Sequence, residues 1–178
     1  MMRVATDASC AGFGGYRSDT GDWFFLPSRS YHRAPSCWSA WCELYAIAIG
    51  AATFAPAWPK NCALEICCDN TGAVGFVRMR ESAYGHYRDL LGLIKTIEDR
   101  HGVKITATYT PGFCNDVADA LSRGNIDRAR CLCPTLRPDP LPTPEIITEF
   151  ENQLQMAAWR QRPQLCLVRT SMSSAGNG

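Results

Sequence analysis

The chain has 178 residues, of which nearly half are apolar and about a fifth are charged, and its formal net charge is +1. This length is enough for one domain with a full hydrophobic core, and the composition is that of an ordinary globular protein. The small net charge excludes a uniformly basic nucleic-acid binder, although an acidic site and a basic groove could still cancel within one enzyme.

The sequence contains ten cysteines, but they form no CxxC pair, and the three histidines are not spaced as zinc ligands. We therefore expect no zinc site. We find no secretory signal and no long apolar run, and we expect no membrane segment. These features favour a reducing intracellular compartment, the cytoplasm or the nucleus.

The first part of the chain predicts an antiparallel meander followed by a long helix. Strands are expected over 3–8, 12–17 and 22–26, and turn residues at 18–21 join the second and third into a hairpin. Apolar residues then recur at helical spacing from Ser36 or Ser39 to Phe54, and two prolines end the helix.

The next part predicts helices that alternate with strands. In chain order we expect a strand over 63–68, helices over 71–80 and 87–100, a strand over 103–109, and a short helix from Asn115 or Asp116 to Leu121. Strands linked by helices pair in parallel through right-handed crossovers. The order βββαβααβα therefore predicts an α/β fold in three layers, a mixed five-stranded sheet flanked by helices.

The composition changes after residue 124. Five prolines lie within 134–144, which is typical of an extended linker, and Thr143-Pro144-Glu145 is a helix start. We therefore expect a domain over 1–124, a proline-rich linker over 125–144, a C-terminal helical extension over 145–169 and a disordered tail over 170–178.

Four acidic residues have apolar neighbours, unlike ordinary solvated acids. Asp7 lies in the first strand, Glu43 in the long helix, Asp69 at the end of the fourth strand and Asp119 in the last short helix. Any one of them could be an ordinary turn or surface acid. If all four meet at one sheet edge, they cannot all ionise without a cation, and oxygen ligands suit Mg²⁺ or Mn²⁺. Together they favour a two-metal site for phosphodiester hydrolysis.

The residues around these acids resemble the ribonuclease H (RNase H) domain of reverse-transcribing elements, over about residues 3–123. The matching motifs are Asp7-Ala8-Ser9 before a glycine-rich hairpin, Glu43-Leu44, Asp69-Asn70, and the segment 111–123, which reads PG-x-x-N-x-x-ADALSR. The last motif is the most specific. Within the type 1 RNase H superfamily, the chain looks most similar to DIRS-like retrotransposons and hepadnavirus polymerases.

The resemblance implies an RNase H-like fold and an endonuclease that hydrolyses the RNA strand of RNA–DNA hybrids during reverse transcription. It implies that Asp7, Glu43, Asp69 and Asp119 are catalytic and bind two Mg²⁺ ions, for which Mn²⁺ can substitute. Asp7 would bridge both ions, and Asp119 would share the ion that activates the attacking water. Glu43 and Asp69 would hold the ion on the leaving-group side.

The resemblance also implies contacts with the hybrid. The expected substrate-binding residues are Ser9, Asn70, Thr71, Asn115 and Arg123. Further candidates for phosphate contacts are Arg29, Arg33, Arg78 and Arg80. Trp38 and Trp41 could line a binding groove, but core packing is the favoured role for both.

Two departures from the family leave an alternative open. Tyr109 stands at the position of a mobile family histidine that assists product release, and the short segment 81–85 leaves no counterpart of the basic lobe that cellular enzymes use. The alternative is a catalytically weak or inactive RNase H-like module that binds nucleic acid or a partner domain. A third possibility, a DNA-cutting integrase or resolvase, is disfavoured by the position of Glu43 and by the ADALSR ending.

The first strand starts almost at the first residue, where an RNase H domain begins. We therefore expect a piece of a larger retroelement polyprotein. Its expected partners are the RNA–DNA hybrid and an upstream reverse transcriptase domain.

Overall fold

A computed structural model describes residues 3–32 and 38–160 of the chain. The strands are β1 Val4–Ala8, β2 Gly12–Arg17, β3 Trp23–Pro27, β4 Ala63–Cys68 and β5 Lys104–Tyr109. The helices are α1 Trp38–Phe54, α2 Thr71–Met79, α3 Gly85–His101, α4 Asp116–Ser122, α5 Ile126–Leu132 and α6 Glu145–Arg160.

The five strands form one mixed sheet in the order β3-β2-β1-β4-β5, with β1 at its centre. β1 pairs antiparallel with β2, and β2 with β3, whereas β1 with β4 and β4 with β5 are parallel pairs. The predicted α/β fold with a mixed, helix-flanked sheet is confirmed. The expected elements up to α4 are present with closely matching bounds because each carries the period-2 or helical pattern of its type.

Helix α1 is apolar nearly all round because it is enclosed by the sheet on one side and by α2, α3 and α6 on the other. Ser39–Ala57 is long and apolar enough, by length and composition, to cross a membrane, contrary to the expectation of no long apolar run. However, 78% of its most apolar window is buried inside the fold. This segment is therefore the core helix of the domain.

The two faces of the sheet carry different layers. The larger core lies on one face among α1, α2 and α3, and α6 adds Ile147 and Phe150 to it. The smaller core lies on the other face, where α4 and α5 pack around Trp23 and Leu121. The sheet with its two helical layers makes the three layers expected from the sequence.

The segment 125–144, which the sequence predicts to be an extended linker, contains α5, and its proline-rich part packs on the edge strand β3. The Leu141 N–H donates to the Trp23 carbonyl, and the Trp23 indole N–H donates 2.8 Å to the Arg137 carbonyl. Prolines have no N–H to donate, but they leave the carbonyls and intervening N–H groups free to bind a strand edge.

Helix α6 covers the first part of the predicted extension 145–169. Its buried residues belong to the main core, so this helix is packed as an integral part of the fold. The remainder of the extension, and the tail predicted over 170–178, lie outside the described residues. The predicted division into domain, linker and extension stays a prediction.

Candidate metal centre at the edge of the sheet

Neighbouring parallel strands bring two of the four acids together. Ala5 of β1 lies opposite Cys67 of β4, so continuing the register by two residues brings Asp7 opposite Asp69. Both residues lie where parallel strands end. The N-terminal part of α1 brings Glu43 to the same edge, where its Oε1 accepts a hydrogen bond of 3.2 Å from the Ala8 N–H.

Helix α4 brings Asp119 to this edge from the opposite face of the sheet. Its close approach depends on Gly14, which pairs with Asp7 in the β1–β2 ladder. A Cβ at Gly14 would lie only 2.3 Å from the backbone nitrogen of Ser122. Without that side chain, the Ser122 hydroxyl reaches Asp7 and donates 2.6 Å to its Oδ2.

The carboxyl groups raise one another's pKa values. Burial, reinforced by the charges of Asp69 and Asp119, raises the pKa of Asp7 to about 6 despite the bond from Ser122. Burial and the charges of Asp7 and Asp69 raise the pKa of Glu43 to about 9. Burial, with the charge of Asp119, also raises the pKa of Asp69. The site is thus an acidic cluster in which ionisation of the carboxyl groups is unfavourable.

A divalent cation fits this donor set. Over residues 3–32 and 38–160, the ion pair of Arg123 Nε with Asp119, at 2.8 Å, is the one salt bridge that any of the four acids makes. Carboxylate oxygens are the ligands that Mg²⁺ and Mn²⁺ prefer, and a bound cation favours their ionised forms. One oxygen each of Glu43 and Asp69 and the sulfur of Cys68 lie within 4.8 Å of one another.

The residues expected to contact substrate have mixed environments. The Ser9 hydroxyl donates to the Ser122 carbonyl, and the Asn70 side chain caps α2 by accepting from the Ala73 N–H, so both have structural roles. The Asn115 amide donates 3.0 Å to the Thr6 carbonyl, while its buried oxygen has no partner among the described residues. Thr71 at the start of α2 is exposed.

The expected phosphate contacts are mostly engaged elsewhere. Arg80 binds Glu98 and the Ile105 carbonyl, and Arg78 donates to the Ala107 carbonyl. Arg123 is the ion-pair partner of Asp119, and Arg29 is exposed. Arg33 and the side chain of Trp38 lie outside the described residues.

Two aromatic residues singled out in the sequence have clear positions. Trp41 is buried in the main core, which confirms its expected packing role. Tyr109 is exposed at the end of β5 and pairs with Cys68 across the β4–β5 ladder.

Sequence reasoning missed two residues of this site. Ser122 lies three residues after Asp119, a helical spacing that puts both on one face and could have signalled its contact with the site. Cys68 precedes Asp69, and the apolar pattern of β4 indicated only a core side chain. Its Sγ lies 3.5 Å from Glu43 Oε2, a neighbour that no local pattern reveals.

Comparison with known proteins identifies the fold. No protein-family model matches this chain, and no curated protein matches it. A solved structure of RNase H1 from the halophilic archaeon Halobacterium salinarum superposes with a TM-score of 0.52 at 14% identity, covering 71% of this chain and 97% of its own.

Two further structures resemble the chain. The N-terminal RNase H domain of a Mycobacterium tuberculosis protein, solved as a fusion with maltose-binding protein, has a TM-score of 0.50 at 12% identity and covers 74% of this chain and 95% of its own. LC11-RNase H1 in complex with an RNA/DNA hybrid has a TM-score of 0.49 at 13% identity, covering 72% and 99%. The first two matches show that the chain has an RNase H-like fold.

Proposed function

We propose, from an RNase H-like fold with four acids at one sheet edge, that this protein is a metal-dependent endonuclease that hydrolyses the RNA strand of RNA–DNA hybrids. One observation carries the proposal. Asp7, Glu43, Asp69 and Asp119 come from elements on opposite faces of the sheet, yet they meet at one edge, where the charges of neighbouring acids help to raise the pKa values of Asp7, Glu43 and Asp69. Structural acids have no reason to converge without a cation.

The four carboxylates would hold two Mg²⁺ ions, or Mn²⁺ in their place. Bound ions of this kind activate water and stabilise the leaving oxygen of a phosphodiester. The protein's own groups fix the donors beforehand. The Ser122 hydroxyl orients Asp7, the Ala8 N–H orients Glu43, and Arg123 orients Asp119.

In this proposal Glu43 helps the protein to select the RNA strand of the hybrid. A 2′-hydroxyl is the group by which a protein distinguishes RNA from DNA, and Glu43 would lie near it beside the cut. Thr71 and Tyr109 are exposed, so they are free to contact the hybrid. Arg80 and Arg78 contribute less than the sequence analysis expected, since both already bind backbone carbonyls.

The biological setting belongs to the same proposal. The motif PG-x-x-N-x-x-ADALSR supports a retroelement origin, an upstream reverse transcriptase domain as partner, and action in the cytoplasm or nucleus during reverse transcription. The connection between α2 and α3 is short, so an attached polymerase domain would supply additional contacts with the hybrid.

Cleavage of an end-labelled RNA–DNA hybrid in Mg²⁺ or Mn²⁺ tests the activity. We expect the wild type to cut the RNA strand and Asp69→Asn to lose at least about a hundredfold in rate, because it removes a charged metal ligand. Asp69 is only half-buried, so this variant is expected to fold. If the wild type and the variant are equally inert while both give cooperative thermal melts, the enzymatic proposal fails.

A second candidate is an inactive module that binds nucleic acid or a partner domain. The observation in its favour is that Tyr109 cannot relay protons near neutral pH as the family histidine does. Calorimetric titration with Mg²⁺ separates the two functions. The endonuclease predicts metal binding that Asp7→Asn and Asp69→Asn abolish, whereas an inert module need not bind the metal.

A further inference from the structure

Cys68 adds a sulfur atom to the metal-binding corner formed by Glu43 and Asp69. It is the last residue of β4 and is fully buried, because the alternation of that strand turns it towards α1 as it does Leu64 and Ile66. Its Sγ lies 3.5 Å from Glu43 Oε2. One donor atom from each of the three residues falls within 4.8 Å of the others.

The spacing of these atoms matches ligands that share one small ion. Zinc–sulfur and zinc–oxygen bonds of about 2.3 and 2.0–2.1 Å at a tetrahedral angle place the two ligand atoms about 3.6 Å apart. The observed separation of Cys68 Sγ and Glu43 Oε2 is 3.5 Å. A cation could therefore bind between them with little movement of either side chain.

One backbone group also contacts the sulfur of Cys68. The Asn70 N–H donates to Cys68 Sγ at 3.4 Å, and hydrogen bonds of this kind orient a metal ligand and stabilise its charge. Cys67 offers a contrast within the same strand. It lies on the other face, where the Arg3 guanidinium donates to its sulfur at 3.2 Å and no carboxylate of the site is its partner.

We propose that Cys68, Glu43 and Asp69 form a binding site for a thiophilic divalent cation, Zn²⁺. Cd²⁺ binds the same kind of ligands and serves as the spectroscopic probe. The thiol proton is released to solvent when the cation binds, so the ligand is the thiolate. This donor set differs from the cysteine–histidine zinc sites that the sequence analysis argued against, because two of its three ligands are carboxylates.

The inference goes beyond the proposed hydrolysis, since cation binding needs no catalytic activity. Glu43 and Asp69 are also proposed Mg²⁺ ligands, so a thiophilic ion and Mg²⁺ would compete for the same corner. Soft thiolate ligands favour zinc and cadmium, whereas Mg²⁺ prefers an all-oxygen set. The site would therefore take up zinc in preference to Mg²⁺. On the proposed function, the bound zinc would inhibit hydrolysis of the hybrid.

Cadmium titration of the full chain, followed by the ultraviolet thiolate-to-cadmium charge-transfer band and by calorimetry, tests the site. Because Cys131 and Cys133 offer a competing pair of thiols, all proteins carry Cys131→Ser and Cys133→Ser. The test variant is Cys68→Ser, and the matched control is its neighbour, Cys67→Ser. Asp69→Asn, which keeps the thiol and removes a carboxylate, is the second test variant.

We expect the Cys67→Ser control to keep the tightest cadmium site together with its charge-transfer band. Cys68→Ser should lose both, and Asp69→Asn should raise the Kd for cadmium at least about tenfold. Added Mg²⁺ should weaken cadmium binding to the control.

Equal cadmium binding by Cys68→Ser and Cys67→Ser would overturn the inference. The same conclusion follows if Asp69→Asn, folded by its thermal melt, binds cadmium as tightly as the control, or if Mg²⁺ does not compete. A chain that binds cadmium through Cys68 but cleaves no hybrid would contradict the proposed function alone. A chain that cleaves hybrid but shows no Cys68-dependent cadmium site would contradict this inference alone.

Discussion

Asp7 is almost completely buried, and without a cation its negative charge works against folding. The folded protein holds the proton on Asp7 up to about pH 6, compared with an ordinary pKa of 3.8. The folded state therefore binds more protons than the unfolded chain between these values. Glu43 behaves in the same way between 4.5 and about 9. The stability that the protonated forms of Glu43 and Asp7 contribute is lost as the pH rises through the raised pKa of each group.

Metal-free protein should consequently become less stable as the pH rises from about 5 to about 8. Between these pH values the Asp7 shift alone corresponds to a loss of about 1.4 kcal/mol in the free energy of unfolding, because pH 5 lies one unit below its raised pKa. Thermal melts in EDTA measure this effect, and Asp7→Asn should reduce the pH dependence. Added Mg²⁺ should raise the melting temperature most at the higher pH.

Asp89→Asn serves as the control for this pH series, because Asp89 is exposed on α3 and lies outside the acidic cluster. It should leave the slope of stability against pH unchanged. A wild-type protein that is equally stable at both pH values in EDTA would contradict the raised pKa values of Asp7 and Glu43.

Arg80 is a structural residue rather than a phosphate contact. Its guanidinium binds Glu98 at 2.7 Å and the Ile105 carbonyl, and Glu98 in turn accepts 2.7 Å from the Ile105 N–H. These bonds tie the end of α2 to α3 and β5.

We expect Arg80→Met to lower the free energy of unfolding by about 2 kcal/mol, because it leaves Glu98 and the Ile105 carbonyl without their charged partner. Urea denaturation measures the loss. Arg88→Met is the control, since Arg88 is exposed and donates only to the Ala83 carbonyl. A stable Arg80→Met protein with weakened hybrid binding would instead favour the phosphate role.

At the scale of elements, the distance between β2 and α4 decides whether Asp119 reaches the site. Gly14 sets that distance, because a Cβ there would lie 2.3 Å from Ser122 N and 2.5 Å from the Leu121 carbonyl carbon. Both clashes are with the backbone, so only a movement of α4 could relieve them. Such a movement would carry Ser122 away from Asp7.

Gly14→Ala should therefore cost about 1–3 kcal/mol or more in stability and also weaken Mg²⁺ binding. Gly75→Ala is the matched control, because nothing lies within 4 Å of the Cβ position at Gly75 and the residue is in the middle of α2. That substitution should be neutral or slightly stabilising. Chemical denaturation and calorimetry report the two effects, and equal stability of both variants would contradict the role of Gly14.

At the scale of the whole molecule, one hydrogen-bond network joins α6 to α1, the helix that carries Glu43. Glu151 of α6 accepts hydrogen bonds from the hydroxyls of Tyr31 and Tyr45, and its Oε1 lies 2.7 Å from His32 Nε2. Burial opposes the charge of Glu151, but these three partners outweigh it and lower its pKa. Tyr45 lies on α1, two residues after Glu43.

Removing this acceptor should loosen α6 and destabilise the whole fold. We expect Glu151→Ala to cost about 3 kcal/mol, because it leaves the buried donors His32 and Tyr45 and the half-buried Tyr31 without their common acceptor. Glu149→Ala is the control on the same helix, since Glu149 is exposed. Thermal melts compare the two variants. Equal melting temperatures would show that α6 is not integral to the core.

The sequence by itself determined the order of elements up to α4 and the set of four acids with apolar neighbours. These features follow from short-range patterns, the periods of strands and helices and the turn residues between them. The specific polar contacts could not be predicted in this way. Ser122 and Asp7 are 115 residues apart in the chain, and Cys68 and Glu43 are 25 apart.

Only the tertiary structure decided which groups surround the acids. It brought a serine and a cysteine to them, used Arg80 to tie α2 to β5, and packed the proline-rich segment 125–144 on β3. The physical reason is that such contacts depend on how closely whole elements approach each other, as α4 does at Gly14. That approach is a property of packed layers, which no local pattern of residues encodes.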